Sequence, residues 1–142
     1  MSEVDTDVNA LVGFLLSFAE KQLRDHGEFY PFGASMDPNG AISAAMADTG
    51  ATSPASAELI SILHRQFAEG ARGGLHRATA LAYDVRTVVP TTGAKTDAVA
   101  IDFDHRDGTS IVIYFPYTTG KGTTTFGDHF ILDGRSEVFP PR

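Results

Sequence analysis

Asp97-Ala98-Val99-Ala100-Ile101-Asp102-Phe103-Asp104-His105-Arg106-Asp107-Gly108-Thr109-Ser110-Ile111-Val112-Ile113-Tyr114-Phe115-Pro116-Tyr117 is the stretch that decides how this chain folds. Val99, Ile101 and Phe103 alternate with Ala98, Ala100, Asp102 and Asp104. Beyond the turn Arg106-Asp107-Gly108, Ile111, Ile113, Phe115 and Tyr117 alternate with Val112 and Tyr114. A period of two is the signature of a strand, and strands joined by a short glycine turn pair antiparallel.

The same pattern extends on both sides. Upstream, Thr79, Leu81, Tyr83, Val85 and Thr87 alternate with Ala78, Ala80, Ala82, Asp84 and Arg86. Downstream, Gly120-Lys121-Gly122 reads as a turn and Thr123 to Leu132 as one last strand. The tail Phe139-Pro140-Pro141-Arg142 is unsuited to a sheet interior, because proline donates no ladder bond.

The first third is helical at its start. Asp5, Thr6 and Asp7 offer N-caps, Val8, Leu11, Leu15, Phe18 and Ala19 recur at helical spacing, and His26-Gly27 reads as the end. Pro31 bars helix after Tyr30. A hairpin follows: Phe32 to Asp37, a turn at Pro38-Asn39-Gly40, then Ala41 to Ala47. A second helix is expected from Ser53-Pro54, with Leu59, Ile60, Leu63 and Phe67 as its apolar stripe, ending at Gly70, Gly73 and Gly74. Loops are expected at Thr49 to Thr52 and Pro90 to Thr96. The expected fold is a single α+β domain over residues 1–142, an antiparallel sheet of about five to six strands with two helices, in the order α-β-β-α-β-β-β-β. By analogy, that order is similar to profilin-like and roadblock-like domains, folds that host regulators, sensors and scaffolds.

Composition removes whole classes of function. With no cysteine there is no disulfide, thiolate metal site or cysteine nucleophile. The acidic start and the interrupted apolar run Leu11 to Phe18 match neither a secretory signal nor a membrane span, so a cytoplasmic protein is expected. The net charge is −7 and the basic residues are scattered, the nearest groupings being Arg72 with Arg77 and the lone Lys121. Nucleic acid and anionic membrane are therefore not expected partners.

Two groups of residues carry possible chemistry. Asp102 and Asp104 share a strand face with Cα atoms about 7 Å apart, while His105 points to the other face. Together with His129 these are candidate metal ligands, or the acid–base groups of a small hydrolase, if the folded chain converges them. The competing expectation is a solvated acidic face. His64, beside Arg65, reads as a surface residue. Gly120-Lys121-Gly122-Thr123 fails as a phosphate loop: Phe115 stands where the first glycine belongs, and Gly122 follows the lysine. The second group is aromatic. Phe29-Tyr30-Pro31-Phe32 and Tyr114-Phe115-Pro116-Tyr117 place Phe29, Tyr30, Phe32, Tyr114 and Tyr117 as candidates for a ligand or partner surface.

Glu28-Phe29-Tyr30-Pro31-Phe32-Gly33-Ala34, Lys95 to Ile101, His105-Arg106-Asp107-Gly108 and Pro116-Tyr117 resemble the corresponding segments of a family of small uncharacterised bacterial proteins. The resemblance implies a bacterial cytoplasmic protein of one domain and carries over no catalytic residue and no cofactor. The expected function is a non-enzymatic binding or interaction module, with self-association as a homodimer through a sheet edge or face as one form of it. The alternatives are an Asp/His hydrolase or metal enzyme, and an immunity-type inhibitor whose acidity masks a basic partner.

Overall fold

The computed structural model describes residues 2–47, 55–120 and 122–140. The expected helix start at Ser53-Pro54, the loop Thr49 to Thr52, Lys121 and the last two residues lie outside them. Helix α1 (Glu3–His26) is followed by β1 (Phe32–Met36), β2 (Ile42–Ala45), helix α2 (Ser56–Arg72), β3 (Ala78–Val88), β4 (Lys95–His105), β5 (Ser110–Gly120), β6 (Thr123–Phe126) and β7 (Phe130–Asp133). All strands join one antiparallel sheet in the order β2-β1-β3-β4-β5-β6, with β7 also on β5.

The helices cover opposite faces of the sheet. Leu11, Leu15, Ala19 and Leu23 of α1 pack on Phe32, Ala34, Met36, Ala78, Ala80, Ala82, Val99, Ile101 and Phe103. Leu63 and Phe67 of α2 pack on Leu81 and Val138. Strand β3 therefore buries both of its faces along Ala78–Ala82, small residues toward α1 and Leu81 toward α2. On β1, a Cβ at Gly33 would lie 2.8 Å from both the Ala80 carbonyl oxygen and the Phe67 ring, so glycine lets α2 sit this close.

The sheet has seven strands because the last expected strand is broken in two. Pro116 accepts from the Gly127 N–H at 2.8 Å but has no N–H to return. The register then slips by one residue: Tyr117 faces Phe126, whereas Tyr114 faces Phe130. The extra residue makes this a bulge.

Helix α1 begins earlier than its acidic residues suggest. Ser2 is the N-cap and forms a capping box with Asp5. Asp7 is no cap; it is 1% exposed and continues the buried stripe of Leu11, Leu15, Ala19 and Leu23. Arg77, the residue before β3, grips its carboxylate with two bonds, Nε to Oδ2 at 2.9 Å and Nη2 to Oδ1 at 2.6 Å. His105, at the end of β4, donates through Nε2 to Oδ2 at 2.8 Å, and its Nδ1 accepts the Asp107 N–H at 3.2 Å. Arg77 also reaches the Pro38 carbonyl, and Glu3 accepts from Arg106 at 3.0 Å. One buried carboxylate thus ties α1 to β3, to β4 and to the two hairpin turns at that end.

The Arg77 hydrogen bonds, helped by His105 and opposed by burial, hold the Asp7 carboxyl below its ordinary value of 3.8. A lowered folded value means that the stabilisation is present above the ordinary value and is lost as pH falls through the lowered one. Replacing Asp7 with Ala strands Arg77 and His105 and should cost about 3 kcal/mol or more in urea unfolding at neutral pH. The acid limb of the stability curve should also be flatter in that variant than in the parent.

Candidate functional site

Three polar or aromatic groupings stand out. The first is a cleft of about 650 Å³ where α1 ends and β3 and β4 meet their outer turns. Gly27, with φ of 76°, stops α1 by donating to the Leu23 carbonyl at 2.8 Å. The chain then runs extended into Pro31, as a residue before proline must. That path sends Phe29 against Phe32, with ring centres 5.7 Å apart, and leaves Tyr30 52% exposed on the cleft wall. Glu28, Asp84 and Asp97 supply carboxylates, His26 adds an imidazole, and Arg86 is paired with Asp97 at 3.1 Å. Both partners of that pair are solvent-exposed, so it adds little stability. Beneath the wall, the Tyr117 hydroxyl donates to Asp84 at 2.7 Å. Burial raises the Asp84 carboxyl above the ordinary range despite that bond, and burial with the Asp84 bond raises the Tyr117 phenol.

The second grouping lies under α2. His64 Nε2 meets Asp102 Oδ2 at 3.1 Å, and its Nδ1 lies 3.7 Å from Glu137 of the C-terminal segment. The Asp102 bond raises the His64 value against the effect of burial. Asp104 is 4% exposed, and burial pushes it up to about 6, opposed by a hydrogen bond from Ser110. The other Asp102 oxygen is buried and has no hydrogen-bond partner among the described residues. This corrects two expectations. The acidic face is not solvated, because α2 and the Glu137–Val138 segment lie over it, and His64 is half-buried rather than a surface residue.

The third grouping is Glu3, Asp7 and His105, whose ligand atoms lie within 4.8 Å of one another. Arg77 already occupies both Asp7 oxygens, and its positive charge disfavours a second cation there. The geometry is that of a salt-bridge network.

The expected site residues are distributed as follows. Asp102 and Asp104 face α2, whereas His105 faces α1. His129 lies against Phe115, ring centres 5.5 Å apart, and Phe115 pairs with Val99, six residues along β4 from His105. Two residues of strand rise about 6.6 Å, so the two histidines are separated by roughly 20 Å and the four candidates do not converge. Of the aromatic candidates, Phe29 and Tyr30 line the cleft, and Tyr117 reaches it through Asp84. Phe32 is core, and Tyr114 stacks on Phe130 on the opposite face, ring centres 5.0 Å apart. The polar site residues that the sequence does not place among the candidates are Arg77, Asp84 and Glu137, while His64 reads there as a surface residue. Their partners are distant in sequence, and the one local signal was Asp7 continuing an apolar i, i+4 stripe.

No helix among the described residues is long and apolar enough to cross a membrane. Comparison with protein-family models, with curated proteins and with solved structures finds no match.

The Asp104 carboxyl gives a pH signature. Its raised folded value means that its contribution is fully present below the ordinary value of 3.8 and is lost as pH rises through about 6. Replacing Asp104 with Asn should leave stability near parental at about pH 4 and raise it by about 1–2 kcal/mol at about pH 8. Thermal unfolding across that range checks both the sign and the crossover.

Proposed function

We propose that this protein is a non-enzymatic binding module whose cleft at the C-terminal end of α1 docks a basic segment of a partner protein. The observation that carries the reading is Tyr30: its ring is half-exposed on the wall of a cleft of about 650 Å³, beside three carboxylates, with Arg86 and His26 as the basic side chains of the lining. An aromatic face next to carboxylates attracts lysine and arginine side chains by cation–π and ionic contact together. A chain of net charge −7 steers such a partner toward itself from a distance. The inhibitor alternative is one form of this reading, in which the basic partner is an enzyme that the module blocks. The hydrolase or metal-enzyme alternative is weaker, because its histidines lie roughly 20 Å apart by the strand rise along β4. The absence of cysteine accords with a reducing compartment.

The test is titration of the labelled protein with extended Lys/Arg-rich peptides against acidic and neutral peptides of equal length. The basic peptides should shift the amides of residues 28–30, 84–86 and 97, weaken with salt, and lose about tenfold in affinity with Tyr30→Ala. Equal binding of acidic peptides, or shifts confined to the α2 face, would remove the proposal.

A further inference from the structure

We infer that β7 is a self-association edge, where a second copy of this chain pairs antiparallel with Ile131 facing Ile131 of its partner across a two-fold axis. Three independent features lead to that register.

The first is the direction of the backbone groups. Gly134 N–H points to the Ser110 carbonyl of β5 at 3.0 Å. Alternation then turns the groups of Leu132 and Phe130 toward β5, and those of Ile131 and Asp133 outward. Among the described residues no backbone partner meets that outer side. The second is the character of the strand. Ile131 and Leu132 are 51% and 46% exposed, and Phe130-Ile131-Leu132-Asp133 holds none of the lysines or prolines that usually guard an edge. An edge left this apolar favours addition of a strand.

The third is the fit of the side chains. An antiparallel edge pair about a two-fold keeps like faces together, so residues of like parity must oppose one another. With Ile131 on the axis, Phe130 of each copy meets Leu132 of the other, and His129 of each copy meets Asp133 of the other. Moving the axis to Leu132 would set His129 against Arg135 and Asp133 against Ile131. Charge and apolar matching both choose the first arrangement. The bulge at Pro116 is what makes it available: the one-residue slip sets the odd residues of β7 outward, Ile131 among them.

Each copy carries a charge of −7, so the two repel over distance and salt should strengthen the pair. Sedimentation velocity across the micromolar range should show a concentration-dependent dimer, and the Ile131 and Asp133 amides should exchange more slowly as concentration rises. Ile131→Lys should raise the dimer Kd at least about tenfold with unchanged circular dichroism and melting at low concentration. His129→Asp should weaken the dimer, and His129→Asp with Asp133→His should restore it; that rescue is specific to this register. A chain that stays monomeric throughout the range overturns the inference, as does a dimer indifferent to Ile131→Lys, or one with protection that maps away from β7.

Discussion

Asp7 is the only carboxylate of α1 that the sheet encloses, and the arrangement of its partners depends on it. A buried carboxylate without partners is among the costliest features a core can hold. Here Arg77 satisfies it in bidentate fashion and His105 completes it, so the cost becomes a constraint on position. Three elements far apart in sequence must meet at one point for the charge to be tolerated. The apolar stripe of α1 would allow the helix to slide along the alanine-lined face of β3, since small side chains mark few fixed positions. The carboxylate removes that freedom and sets where the C-terminal end of the helix comes to rest.

That end is where the cleft forms. With α1 anchored at its first turns, Gly27 releases the chain at a fixed distance from the outer ends of β3 and β4. Pro31 then holds Tyr30 at the surface while Phe29 and Phe32 turn inward. The cleft is thus a by-product of helix length against strand length. Its chemistry comes from the outer ends of the strands, where Asp84 and Asp97 lie past the reach of the helix. The second polar grouping, under α2, is different in kind. Asp102, Asp104 and His64 are enclosed under α2 rather than opened to a ligand, with Glu137 at the rim, and the raised values of His64 and Asp104 describe the folded state's response to pH.

Edge management separates the two ends of the sheet. Pro116 interrupts β5's outer ladder, which divides a long terminal strand into a threonine-rich β6 and an apolar β7. A continuous strand would have presented the opposite parity along its second half. The bulge therefore decides which backbone groups and which side chains the edge displays.

Period-two alternation, the Asn39-Gly40 turn, the Pro31 break and the helical spacing of α1 and α2 were all legible in the sequence, because each is set by contacts within a few residues. They were enough for the element order, the antiparallel pairing and the opposite orientation of His105 to Asp102 and Asp104. The strand break after Phe126 was not, since it requires knowing that Pro116 is the partner which fails to return a hydrogen bond. Nor was the burial of the acidic face, because alternation states which residues share a face but not which face a helix will cover. The pairings Asp7–Arg77, His64–Asp102 and Tyr117–Asp84 join residues 70, 38 and 33 positions apart. The sequence by itself determined the local elements, whose physics is short-range. Only the tertiary structure decided which charges became partners and where a cleft remained, because burial is a property of what the chain brings in from a distance.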